Sequence, residues 1–218
     1  MKFLNERLDT FASAGIYPVV SSEFCAGREV AEVISAIASG GARIVQLREK
    51  NRSDADLFAL SCLCRKITDA YNMLLIIDDR LDIALGCGAD GVHLGQDDFP
   101  VARARELAPE LLIGTSTHNA EEIRIAQSSG VGYLNIGPVY PTQTKSVACG
   151  ALGFEKFTGL AKDVQIPFSV MGGIKAHHVP ELLKHGVAAA AMVTEITQAA
   201  DITGKVRELL ALAGKNSR

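Results

Sequence analysis

Residues 88–98 run Gly88-Ala89-Asp90-Gly91-Val92-His93-Leu94-Gly95-Gln96-Asp97-Asp98. A glycine turn opens the stretch, a short strand-like run follows, and polar residues crowd its far end. The opening turn recurs. Gly41-Ala42-Arg43, Gly130-Val131-Gly132 and Gly186-Val187-Ala188 each close a helical pattern and open an apolar run, and the four turns stand 47, 42 and 56 residues apart. A strand–helix unit takes about half such a span, so these turns enter every second strand.

Eight apolar runs result, at 16–20, 43–47, 74–77, 91–94, 111–115, 133–136, 167–171 and 188–193. They are apolar on both faces, as suits parallel strands covered by helices. The intervening segments have helical period. Val30, Val33, Ile34 and Ile37 form one stripe, Leu57, Leu60, Cys64 and Ile67 a second, and Ile202, Val206, Leu209 and Leu210 a third. Ser53 with Asp56, and Asn119 with Glu122, have the spacing of helix starts, and Pro100 suits a first helical position. Eight strand–helix units in 218 residues predict an α/β fold, a closed (β/α)8 TIM barrel forming a single domain over 1–218. A helix is expected within 1–14 and a frayed tail over 214–218. An open doubly wound sheet is the alternative, but the first strand is not followed by the glycine-rich turn of a dinucleotide fold.

Composition bounds the function. A net charge of −3 gives no reason to expect nucleic acid or an anionic membrane as partner. No apolar run reaches the ~18–20 residues of a bilayer crossing. The first residues lack a signal-peptide core. Five cysteines are too few, and odd in number, for a disulfide scaffold. Cys62 and Cys64 point apart on a predicted helix, which argues against a zinc pair. These features predict a reduced cytoplasmic protein and leave a homodimer open.

A TIM barrel carries its active site at the carboxyl ends of its strands. Polar residues collect there: Gln46, Arg48 and Lys50 after the second run, Asp78 and Asp79 after the third, Asp97 and Asp98 after the fourth, Ser116 after the fifth, and Thr142, Thr144 and Lys145 after the sixth. Gly172-Gly173 ends the seventh run and Val193-Thr194 the eighth. The opposite ends carry little beyond glycine turns. Arg48, Lys50 and Lys145 suit a polyanion. The carboxylates beside them make sense if Mg²⁺ bridges them to phosphate oxygens. The last two strand ends are where barrels commonly hold a monophosphate. Each element also has an ordinary reading: a solvated Arg48-Glu49-Lys50 turn, Asp78 or Asp79 as a helix cap paired with Arg80, and His93 as a core histidine. Their coincidence at consecutive strand ends is what points to a site.

With these motifs in order, the chain resembles the thiamine-phosphate synthase (thiamine-phosphate pyrophosphorylase) family over nearly its whole length. The matching segments are 45–50, 76–80, 91–98, 114–118, 137–145 and 172–174. The resemblance implies a transferase that joins a pyrimidine methyl diphosphate to a thiazole phosphate, releasing pyrophosphate. It implies Gln46, Arg48 and Lys50 as pyrimidine diphosphate ligands, and Asp79 and Asp98 as holders of Mg²⁺. Ser116 falls on the family's serine, Thr142, Thr144 and Lys145 on its Thr-x-Thr-Lys loop, and Gly173, Val193 and Thr194 on its thiazole phosphate site. Arg48, Lys145 and Ser116 are the residues implied to act on the reacting groups.

There are two departures. Asp78 replaces the family's usual Asn, where alternation would turn it away from Asp79 and leave it a water-mediated part in metal binding. Glu195 puts a carboxylate beside the phosphate site. A thiazole tautomerase of the same family is the nearest rival; those relatives are implied to carry histidine where this chain has Pro138 and to lose the Thr-x-Thr-Lys pattern. A non-catalytic module binding thiamine phosphates is the rival from another class.

Overall fold

The computed structural model describes residues 3–142, 144 and 150–215. Its strands are β1 (Gly15–Val20), β2 (Ile44–Leu47), β3 (Leu74–Asp78), β4 (Gly91–Leu94), β5 (Leu112–Thr117), β6 (Tyr133–Ile136), β7 (Phe168–Val170) and β8 (Ala189–Met192). All neighbours pair in parallel in sequence order, and β8 returns to β1 to close the barrel. Gly41, Gly88, Gly130 and Gly186 all adopt positive φ, as turns from helix into strand require.

Ten helices are described: α1 (Leu4–Ala12), α2 (Val30–Ser39), α3 (Asp54–Ala70), α4 (Leu81–Cys87), α5 (Val101–Leu107), α6 (Ala120–Ser128), α7 (Phe154–Ala161), α8 (Val179–Lys184), α9 (Thr194–Thr197) and α10 (Ile202–Leu212). The side chains of Ser53 and Asn119 accept from the N–H groups of Asp56 and Glu122, so the caps read from spacing are real hydrogen bonds. Pro100 stands one residue before α5 as its N-cap. Within the expected tail, Lys215 N–H donates to Leu210 O at 2.8 Å, and 216–218 lie outside the described residues.

Two apolar layers form the core. The larger lies between barrel and helices; the smaller fills the barrel with Phe11, Tyr17, Val19, Ile44, Leu74, Ile76, Leu112 and Tyr133 among others. Period 2 along each strand then sends Gln46 and Arg48 of the β2 line, Asp78, His93 and Ser116 to the same interior face.

The floor of the barrel corrects the expectation that the amino ends of the strands carry little beyond glycine turns. Asp90, buried just before β4, pairs with Arg65 of α3 and lies 3.4 Å from Arg7 of α1, and it accepts the N–H of Leu75 at 3.0 Å. Phe11 of α1 stacks on Tyr133 with centroids 4.0 Å apart. Helix α1 therefore plugs the barrel, held by the contacts of Phe11 with Tyr17 and Tyr133, by the Arg7–Asp90 pair and by hydrogen bonds to Glu110.

Candidate active site

At the carboxyl ends of β2, β3 and β4 the charges converge. The Asp78 carboxylate lies 3.4 Å from Arg48 Nε and 3.2 Å from Lys50 Nζ. Lys50 also pairs with Asp79. Burial and the neighbouring Asp79 charge push the Asp78 carboxyl up to about 6, against the pull of Lys50 and Arg48. Burial is the largest single influence on Asp79 and works to raise it, but the hydrogen bonds from Lys50 and Asp98 and the charge of Lys50 together hold Asp79 below the ordinary carboxylate range. Asp98 is raised by burial and by a side-chain hydrogen bond shared with Asp79.

This arrangement revises the reading of Asp78. It is the inward member of the aspartate pair, and its partners are Arg48 and Lys50. Arg80 is engaged elsewhere, with Asp54 and Asp82 at 2.6 Å each. Asp79 reaches the site because its φ of 60° turns the chain at the strand end, overriding simple alternation. A left-handed aspartate is the less common choice at such a turn, and strain of this kind concentrates at functional positions. The helix-cap reading of Asp78 and Asp79 fails, since α4 has no side-chain cap.

Asp79 and Asp98, 19 residues apart in sequence, meet closely enough to share a hydrogen bond. Two like charges in contact call for a proton or a cation between them. Mg²⁺ is satisfied by one or two carboxylates with water and phosphate oxygens, so this pair fits it. Asp98 is anchored by the N–H of Gly95, which donates to its Oδ2 at 2.6 Å.

The other predicted residues fall into a second, adjoining region. Ser116, Thr142 and Thr144 share one cleft, and Thr142 and Thr144 share the next with Gly173, Val193 and Thr194. The two threonine hydroxyls are 3.0 Å apart. The loop after β6 packs directly on the turn after β7: Val139 and Tyr140 N–H groups donate to Met171 O and Gly172 O at 2.8 and 3.0 Å. Gly173 has a φ of 61°, and a Cβ there would lie 2.3 Å from Pro141 O, so glycine is required by both conformation and space. Lys145 lies outside the described residues.

Glu195, the second departure, is compensated. Lys175 stands 3.2 Å and Lys205 3.9 Å from its carboxylate, and the Ala176 N–H donates to it at 3.3 Å. Its charge is spent on these groups rather than turned bare onto the cleft.

Beneath the site lies a polar chain that the apolar runs concealed. Gln46 Nε2 donates to the Tyr17 hydroxyl at 2.9 Å, which lies 2.8 Å from that of Tyr133. Tyr133 is 3.1 Å from His93 Nδ1, and His93 Nε2 is 2.9 Å from Ser116 Oγ. His93 is thus the core histidine expected, yet it touches a site residue. The signal available was two tyrosines at inward positions of otherwise apolar strands, whose hydroxyls need partners when buried.

The profile of the family described as thiamine monophosphate synthase matches residues 16–196. A thiamine-phosphate synthase of Lawsonia intracellularis is 38% identical over 197 residues, 90% of this chain and 91% of that protein. Another, from Pelotomaculum thermopropionicum, is 37% identical over 95% of this chain and 96% of its own length. The solved thiamine phosphate pyrophosphorylase of Pyrococcus furiosus superposes with a TM-score of 0.85 at 31% identity, covering 93% of this chain and 97% of that one. A 2-keto-3-deoxy-6-phospho-gluconate aldolase of Zymomonas mobilis, 16% identical with a TM-score of 0.71 over 97% of this chain and 98% of that one, shares the fold alone. On the profile match and these full-length similarities, the chain belongs to the thiamine monophosphate synthase family.

Proposed function

We propose that this transferase condenses 4-amino-2-methyl-5-(diphosphooxymethyl)pyrimidine with a thiazole phosphate to give thiamine phosphate and pyrophosphate. The observation that carries the reading is the meeting of Asp79 and Asp98 beside Arg48 and Lys50, next to a separate cleft under the β7 and β8 ends. A two-substrate reaction with a diphosphate at one end and a monophosphate at the other calls for this division.

In this reading Asp79 and Asp98 hold Mg²⁺, which when bound supplies positive charge to the diphosphate oxygens. Arg48, Lys50 and Lys145 bind the same diphosphate. The bond from the pyrimidine methylene to the diphosphate oxygen breaks, and its electron pair leaves with that oxygen. The aminopyrimidine ring delocalises the positive charge left on the methylene until the thiazole nitrogen lone pair forms the new C–N bond. Arg48 and Lys145 interact more strongly as charge grows on the leaving oxygen, so they lower the barrier beyond binding the substrate. Gln46 and Ser116 hold the pyrimidine, with Asp78 setting the charge on its diphosphate ligands. Thr142 and Thr144 border the thiazole. Gly173, Val193 and Thr194 take its phosphate. No covalent nucleophile is required, and much of the catalysis is positioning and electrostatics.

No helix among the described residues is long and apolar enough to cross a membrane. The proposal places the enzyme in the cytoplasm as a single domain with small-molecule substrates, and assembly as a homodimer is left to a sedimentation measurement. The test of function mixes both substrates with Mg²⁺ and follows thiamine phosphate as thiochrome fluorescence. Formation of product that stops in excess chelator supports the reading. Binding without turnover would return the chain to a thiamine-phosphate-binding module, and isomerisation of the thiazole alone would make it a tautomerase.

A further inference from the structure

The polar chain in the barrel joins two side chains that the proposed function assigns to the pyrimidine, and the inference rests on that assignment for its catalytic meaning. Four contacts of 2.9, 2.8, 3.1 and 2.9 Å lead from Gln46 through Tyr17, Tyr133 and His93 to Ser116. Every member is buried. Room for it is built into the strands: a Cβ on Gly114 would lie 2.0 Å from Cζ of Tyr133. Burial drives both tyrosines well above the ordinary phenol range, so each remains a neutral hydroxyl.

With a single proton on the imidazole and every tyrosine hydroxyl proton kept within the line, the chain has two directions. In one, Gln46 Nε2 donates to Tyr17, Tyr17 to Tyr133, and Tyr133 to His93 Nδ1. His93 then carries its proton on Nε2 and donates to Ser116, leaving the serine proton for a ligand. Gln46 Oε1 is left as an acceptor, and it has no protein partner among the described residues. In the other direction every bond reverses. Ser116 donates to His93 Nε2, Nδ1–H donates to Tyr133, Tyr133 to Tyr17, and Tyr17 to Gln46 Oε1. The amide must then turn over, so that it offers N–H to the ligand while Ser116 offers a lone pair.

We propose that Tyr17, Tyr133 and His93 are positioning residues forming a directional relay that ties the hydrogen-bonding sense of Gln46 to that of Ser116. An acceptor at Gln46 goes with a donor at Ser116, and a donor at Gln46 with an acceptor at Ser116. An aminopyrimidine has an N–H donor on its amino group and acceptors on its ring nitrogens. Locking both ends at once therefore selects a ligand that carries the complementary pair in the right order. A buried amide oxygen without a partner is destabilising, and a matching ligand would relieve it.

The test reads the His93 tautomer by ¹H–¹⁵N correlation in histidine-labelled, ligand-free protein, with His93→Asn used to assign its signals. Wild type is expected to be protonated on Nε2. Gln46→Glu supplies only acceptors toward Tyr17, so it should reverse the relay and move the proton to Nδ1, three hydrogen bonds from the substituted residue. In the Gln46→Glu/Tyr17→Phe double variant the switch should be lost. An unchanged tautomer in Gln46→Glu, an equal switch in the double variant, or an imidazolium in any of these proteins overturns the relay. Should Gln46→Glu not fold, Tyr133→Phe removes a single oxygen and should leave His93 as a mixture of tautomers; a tautomer unchanged from wild type overturns the proposal. In turnover assays Tyr17→Phe should raise KM for the pyrimidine substrate about fivefold, a loss on the scale of one hydrogen bond. Wild type that makes no thiamine phosphate would defeat the proposed function while leaving the tautomer result to stand by itself.

Discussion

At the scale of single residues, Asp78 and Asp79 are neighbours with opposite assignments. Asp78 faces inward and shares Arg48 and Lys50, so its charge competes with the proposed diphosphate for both cations. Asp78→Asn should lower KM for the pyrimidine diphosphate about fivefold, or ~1 kcal/mol, with the Mg²⁺ concentration for half-maximal rate unchanged. The sign of the pH effect follows from the raised carboxyl. Lowering the pH through about 6 protonates Asp78 and removes the same charge, so wild type and variant should converge. Steady-state kinetics between pH 8 and roughly 5.5 decide it; a higher Mg²⁺ requirement in the variant would place Asp78 in the metal's sphere instead. Asp79 occupies a left-handed conformation with φ 60°, where glycine is unstrained. Its ion pair with Lys50 is half-exposed and contributes little to stability. Asp79→Gly should therefore melt within about 1 kcal/mol of wild type while losing Mg²⁺-dependent turnover. A collapsed melting temperature would make Asp79 a structural residue.

At the scale of elements, the strands were readable because each is apolar on both faces, and the turns because Gly41, Gly88, Gly130 and Gly186 mark entry into alternate strands. Strand ends then marked out most of the candidate site, since a closed barrel brings Gln46, Asp78, Ser116 and Gly173 to one end whatever their separation in sequence. Alternation failed at one place: it could not tell which of Asp78 and Asp79 faces inward, because a single positive φ after β3 resets the direction of the following side chain. The tyrosine–histidine chain stayed hidden for a different reason. Tyr17, His93 and Tyr133 lie within apolar runs, and only the closing of β1 onto β8 and the packing of Tyr133 over Gly114 reveal their shared line. The β6 loop and the β7 turn form one hydrogen-bonded unit, which pattern alone showed only as two separate strand ends. Gly173→Ala tests this unit. The added Cβ meets Pro141 O and the backbone sits at φ 61°, so the variant should lose roughly 2–3 kcal/mol of stability. KM for the thiazole phosphate should rise more than tenfold with that of the pyrimidine substrate nearly unchanged. Equal losses for both substrates would show that the turn supports the whole site rather than the phosphate cleft.

Across the whole molecule, the two ends of the barrel divide the work, and the charged groups at the floor show it best. Arg7, Arg65 and Asp90 come from α1, α3 and the turn before β4, and they meet with Arg7 and Asp90 buried and Arg65 half-buried. Their sequence separation makes the cluster invisible to motif reading, and it lies at the opposite end from the proposed chemistry. A buried ion pair is weak evidence of net stabilisation, but removing one partner strands the others as uncompensated charges. Asp90→Ala would strand Arg7, leave Arg65 with Asp69 as its remaining carboxylate, and take the acceptor from Leu75 N–H. The expected cost is about 3–5 kcal/mol, read as a lower urea midpoint with unchanged slope. Turnover per folded molecule and both KM values should stay at wild-type levels at temperatures where the variant is native. Adding Arg7→Met should recover part of the loss, because it replaces one stranded charge with a side chain of similar length suited to an apolar site. The coupling between the two substitutions then measures how much of the α1 plug is held by charge. A floor variant that loses turnover in proportion to its stability, even when fully folded, would show that the two ends are mechanically linked.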